Sequence, residues 1–187
     1  MKQEEHVLEK VSLADPAVAA IPVRERDEPL VDLRTVAALK LDRRFADDEG
    51  RYAQLRIGVV DRLVTAQTLL PQGFRLLVVE GYRPLALPRS FEPAASGFGS
   101  PHVAGAAVDV TLCTVDEVEL DLGAIDSVTT ESGYTAEARH NRDVLAEALR
   151  GAGLVNCPSA WWHWSYGDRY WAYLTGSPQA WYGPALP

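Results

Sequence analysis

From Ala106 to Leu112 the chain reads Ala-Ala-Val-Asp-Val-Thr-Leu, and the single carboxylate in that apolar run constrains the fold more than any other residue. The β-branched, apolar composition of Ala107 to Leu112 predicts a buried strand. An unpaired carboxylate inside one costs several kcal/mol. Asp109 must therefore meet a cation, cap a turn or pair with an arginine.

Seven positions earlier stands His102, one of only four histidines, the others being His6, His140 and His163. A straight strand would set residues seven apart on opposite faces. Pro101 blocks regular pairing, however, and Gly105 lets the backbone turn, so imidazole and carboxylate can converge. His163 lies among Trp161, Trp162 and Trp164, where its ring nitrogens need partners in a dry setting. It is either a core histidine bonded to backbone or a third ligand. With His102 and Asp109 it completes a His-Asp-His set, the composition of a catalytic zinc site with one position left for water. His6, in a polar segment, and His140, beside Asn141 and Arg142, read as solvated surface.

The rest of the chain frames these residues. Leu55, Val59, Leu63, Ala66 and Leu70 recur at helical spacing, predicting a helix over 52–70 that Pro71-Gln72-Gly73 ends. Phe74 to Glu80 reads as a buried strand stopping at the turn Gly81-Tyr82-Arg83-Pro84. Residues 85–99, with two prolines and two glycines, read as a loop. A short strand is expected at 31–36 and a second helix at 135–150. The aromatic-dense stretch 161–182 is expected to hold one or two strands and a terminal plug. Pro16, Pro22 and Pro29 mark residues 1–30 as an irregular N-terminal arm, leaving 31–187 as one domain. Helices and antiparallel-style strands in separate runs, without βαβ alternation, point to an α+β fold.

Eighteen Lys and Arg against 26 Asp and Glu give a net charge of −8, which argues against a nucleic-acid or anionic-membrane partner. The opening MKQEEHVLEKVSL lacks the apolar core of a secretory signal. Two cysteines, Cys113 and Cys157, form no disulfide framework and are expected as reduced, half-buried thiols. The expected setting is the cytoplasm.

Ser-x-His-x6-Asp followed by Trp-x-His resembles the zinc peptidases that include D,D-carboxypeptidases, phage endolysin peptidases and D-alanyl-D-alanine dipeptidases. The dipeptidase branch is the most similar. The run Trp161-Trp162-His163-Trp164-Ser165-Tyr166-Gly167-Asp168-Arg169-Tyr170-Trp171-Ala172 resembles its C-terminal segment, and Glu80-Gly81-Tyr82-Arg83-Pro84 its (Asp/Glu)-Gly-Tyr-Arg-Pro turn. The resemblance implies the family's fold, a single domain with a mixed or antiparallel central sheet and flanking helices. It implies one zinc ion per chain on His102, Asp109 and His163, and hydrolysis of the free dipeptide D-Ala-D-Ala, the vancomycin-resistance type of activity. Arg83 would polarise the scissile carbonyl and stabilise the oxyanion, Ser100 would lie near the substrate, and Asp126 would hold its ammonium.

One position departs from the family pattern. Where the family has Glu-Trp-Trp-His, this chain has Ala160-Trp161-Trp162-His163, without the carboxylate that moves the proton from the attacking water to the departing amine. Loss of a positioned acid–base group costs about 10²–10⁴-fold in rate. The chain is therefore expected to be a catalytically impaired dipeptidase, with a natural pseudoenzyme that binds a dipeptide or peptidoglycan fragment as the alternative.

Overall fold

The computed structural model describes residues 11–85, 100–125 and 134–185. His6, Asp126 and all but the first residue of the loop expected at 85–99 lie outside them. In chain order the described residues form α1 (Pro16–Ala19), β1 (Leu30–Asp32), β2 (Lys40–Leu41), β3 (Gln54–Arg56), α2 (Ile57–Leu69), β4 (Phe74–Glu80), β5 (Ala107–Thr114), α3 (Ala136–Gly151), β6 (Val155–Cys157), β7 (Ala160–Ser165) and α4 (Arg169–Thr175). The domain is α+β, with a mixed five-stranded sheet in the order β2-β4-β5-β7-β6. Only β2 runs parallel to its neighbour; the other pairings are antiparallel. A separate two-stranded ribbon joins β1 to β3.

Strand alternation divides the sheet into two chemically different faces. Leu76 and Val78 of β4, Val108, Val110 and Leu112 of β5 and Trp164 of β7 point one way. They pack against Val59, Leu63 and Ala66 of α2 and Leu145 and Leu149 of α3 in the main core. Val79 points the other way, into a smaller cluster with Leu13, Val18, Ile125, Cys157, Ala160, Trp162 and Tyr170. Asp109, out of phase with Val108 and Val110, is carried on that second face. The N-terminal arm is held there by α1 against α4, and Val23 bridges to Ala180.

Two segments differ from the periodicity reading. Residues 51–53 form a 3₁₀ turn and 54–56 a strand, so the helix begins only at Ile57. Leu55 obeys the helical spacing yet is fully buried in β3 opposite Val31, because pairing with β1 supplies its backbone partners. The aromatic stretch contains one strand, β7, followed by a helix, α4, whose Asp168 cap accepts from the Trp171 amide. Tyr182, buried in the main core, is the terminal plug.

Gly105 links the buried 3₁₀ turn Pro101–Ala104 to β5 and adopts φ +63°, the left-handed region. Its place between His102 and Asp109 lets a strand carboxylate face an imidazole seven residues away. An Ala there is expected to cost about 1–2 kcal/mol in backbone strain alone, with more from the close approach of Leu30 Cδ2. Urea denaturation of Gly105→Ala should show a midpoint clearly below wild type, and an unchanged midpoint would contradict this account of the turn.

Candidate metal centre

His102, Asp109 and His163 are buried at 0%, 3% and 6% exposure. Asp109 pairs directly with His163 across the β5–β7 ladder, so both side chains leave the sheet on one face. His102 reaches them from the 3₁₀ turn before β5, where the Ser100 hydroxyl accepts from the His102 amide. Asp109 Oδ1 lies 3.2 Å from His102 Nε2 and 3.0 Å from His163 Nδ1. One ligand atom from each residue falls within 4.8 Å of the others.

The donor chemistry fits a divalent ion. His102 Nδ1 lies 2.6 Å from the Gly81 carbonyl, and only a protonated Nδ1 can bond there. That contact selects the tautomer whose Nε2 lone pair faces Asp109, the form in which imidazole ligates metals. Burial opposes the Asp109 charge, yet His102 and His163 outweigh it and hold the carboxyl well below the usual carboxylate range. Burial likewise pulls His102 down, but Asp109 overrides it and the net shift is upward. Two imidazoles and one ionised carboxylate, all buried, make a donor set that could hold a divalent metal ion.

The other expected site residues fall as follows. Arg83 is buried beside the cluster: its amide donates to the His102 carbonyl at 3.2 Å, and its Nη2 lies 3.3 Å from Glu80 Oε2. Glu80 in turn stands opposite Asp109 across β4–β5, just past a bulge. Ser100 caps the turn that bears His102. Ala160 opens β7 and sits in the apolar cluster with Val79, Cys157 and Tyr170. Asp126 lies outside the described residues. Cys113 and Cys157 are free and fully buried rather than half-buried, and His140 is exposed on α3 as expected. Trp162, Trp164, Tyr170 and Trp171 are buried and serve as packing.

Three residues near the centre escaped the reading of the sequence. Glu80 holds the Arg83 guanidinium, and its signal was the acid that opens the Gly-Tyr-Arg-Pro turn. Asn156 Nδ2 donates to the carbonyls of Ala160, Trp161 and His163, at 2.9 Å for the last, and so fixes the strand that presents His163. An amide in a short apolar strand was its only mark. Asp168 is buried at the N-terminus of α4, and burial raises its pKa. A polar residue just before a helical run is a capping signal.

The buried His-Asp-His cluster beside the antiparallel β5–β7 pair has the composition of a metal centre. Residues 88–177 match the model of peptidase family M15, described as D-ala-D-ala dipeptidase. A curated D-alanyl-D-alanine dipeptidase from Synechocystis sp. is 27% identical over 217 aligned positions, covering 82% of this chain and 88% of that protein. The chain is thus similar to D-Ala-D-Ala dipeptidases, and all three residues of the cluster fall inside the segment that the family model matches.

Asp168 gives a pH test of the apoprotein. Its folded pKa is above 3.8, so the stability it contributes is complete below 3.8 and is lost as pH rises through the folded value. Asparagine keeps the cap but not the charge. Metal-free Asp168→Asn is therefore expected to gain stability relative to wild type between about pH 4 and pH 7. Denaturation midpoints at several pH values check this, and a pH-independent difference would contradict it.

Proposed function

We propose that this chain holds one zinc ion on His102, Asp109 and His163, binds a free dipeptide of the D-Ala-D-Ala type in the cytoplasm, and hydrolyses it poorly because position 160 is alanine. The observation that carries the reading is the convergence of three buried donor atoms, one each from the 3₁₀ turn, β5 and β7, all within 4.8 Å of one another. Cysteines that are free and buried agree with a reducing compartment.

Within this reading the side chains divide the work. Zinc, when bound there, supplies Lewis acidity that eases deprotonation of water and polarises a carbonyl. Arg83, fixed by Glu80 and by the turn it shares with His102, directs a guanidinium toward the charge that develops on the carbonyl oxygen. Ser100, at the mouth of the His102 turn, offers a hydroxyl to the substrate backbone, and Asp126 is assigned its ammonium. Hydrolysis also needs a base that takes a proton from the attacking water and returns it to the leaving amine. Ala160 has no atom for either transfer.

The surroundings of Ala160 suit that missing role. A carboxylate placed among Val79, Cys157 and Tyr170 loses solvation, which raises its pKa toward the range useful for general-base work. Zinc-loaded Ala160→Glu is expected to hydrolyse D-Ala-D-Ala about 10²–10⁴-fold faster than the present chain, in line with the loss of one acid–base group. No gain, in a protein shown to bind one equivalent of zinc, would remove the impaired-dipeptidase reading. The pseudoenzyme reading is supported by the burial of Ala160 in an apolar cluster while His102, Asp109 and His163 still come together. It requires dipeptide binding by calorimetry in the present chain and no turnover in Ala160→Glu.

A further inference from the structure

The metal-ligand reading leaves one buried acid near the cluster without a role. His163 and Ser165 alternate on β7, so both side chains lie on the sheet face that bears Asp109, with Ser165 paired to Ala107 and His163 to Asp109. Gly167, at φ +78°, then turns the chain, and Asp168 starts α4. Its Oδ1 is committed to the Trp171 amide at 2.7 Å. Its Oδ2, the Ser165 hydroxyl and His163 Nε2 are all buried with no hydrogen-bond partner. Three orphaned polar atoms within six consecutive residues are costly in a dry core.

They are electrostatically joined. Burial raises the Asp168 pKa, and the charges of His163 and His102 partly oppose it. The bond to Trp171 fixes the carboxyl, so only Oδ2 remains for another partner. His163 presents Nδ1 to Asp109, and a ligating Nδ1 requires the proton on Nε2. That N–H needs an acceptor or a nearby negative charge.

We propose that Asp168, together with Ser165, is a positioning residue for His163: the carboxylate stabilises the tautomer protonated on Nε2 and so keeps the Nδ1 lone pair available to the cation. The inference rests on the metal-site reading above and adds an outer carboxylate to it. Outer partners of metal-bound histidines change metal affinity by about 10–100-fold when removed. The helix cap and the metal role separate experimentally, because asparagine caps a helix as well as aspartate does.

The test titrates zinc into metal-free wild type, Asp168→Asn and Ser165→Ala against a chromophoric chelator, with apoprotein denaturation midpoints measured in parallel. Asp168→Asn is expected to bind zinc about 10–100-fold more weakly than wild type while its apo midpoint at neutral pH is equal or higher. Ser165→Ala is expected to weaken binding in the same direction by a smaller factor. Zinc affinity within twofold of wild type in a folded Asp168→Asn overturns the proposal. Should that variant fail to fold, an unchanged affinity in Ser165→Ala overturns it and a weakened one supports it. If wild type itself takes up no zinc, the metal-site reading fails and this one with it, an outcome visible in the first titration.

Discussion

Everything distinctive in this domain depends on one buried negative charge. Asp109 lies between Val108 and Val110 on β5, opposite Glu80 of β4 and His163 of β7, and two imidazoles stand within about hydrogen-bond reach of one of its oxygens. Removing one partner of such a buried set usually costs about 3–5 kcal/mol, because the remaining charge stays dry and alone. The cluster is therefore a structural commitment as well as a chemical one. The glycine turn before β5, the antiparallel register of β5 with β7 and the amide clamp from Asn156 all serve to bring its members together.

The two faces of the sheet divide stability from chemistry. The face under α2 and α3 is an apolar core built from Leu76, Val78, Val108, Val110, Leu112 and Trp164. The opposite face carries Asp109, His163, Ser165 and, around them, Glu80, Arg83, His102 and Asp168, closed over by a small apolar cluster and the N-terminal arm. Ala160 belongs to that closing cluster. Its position shows why a single methyl can leave the fold whole: it adds apolar contact where a carboxylate would need solvation or a proton to move.

Much of this was legible in the sequence where a residue violated its surroundings. A carboxylate among valines and a histidine among tryptophans each signalled a partner, and the fold brings His102, Asp109 and His163 into one buried cluster. Long periodic segments such as α3 and β4 also matched their spacing. What was not legible depended on contacts made from afar. Leu55 carries the helical period but is claimed by β1, and the short strand β2 has too few residues to show a pattern. Glu80, Asn156 and Asp168 look like ordinary polar residues until the fold places them beside the cluster. Asp126, whose role came only from resemblance, lies outside the described residues.

The carbonyl that orients His102 belongs to Gly81, a main-chain atom in a turn whose own amide is tied to Tyr52. An orienting group of this kind is invisible to alanine scanning, since no side-chain truncation can delete it. Only bulk can reach it: a Cβ at that position would lie 2.5 Å from the Gln54 carbonyl and 3.0 Å from that of Tyr52. The glycine is thus a steric lock whose loss would be felt at the histidine, although the residue itself contributes no functional group.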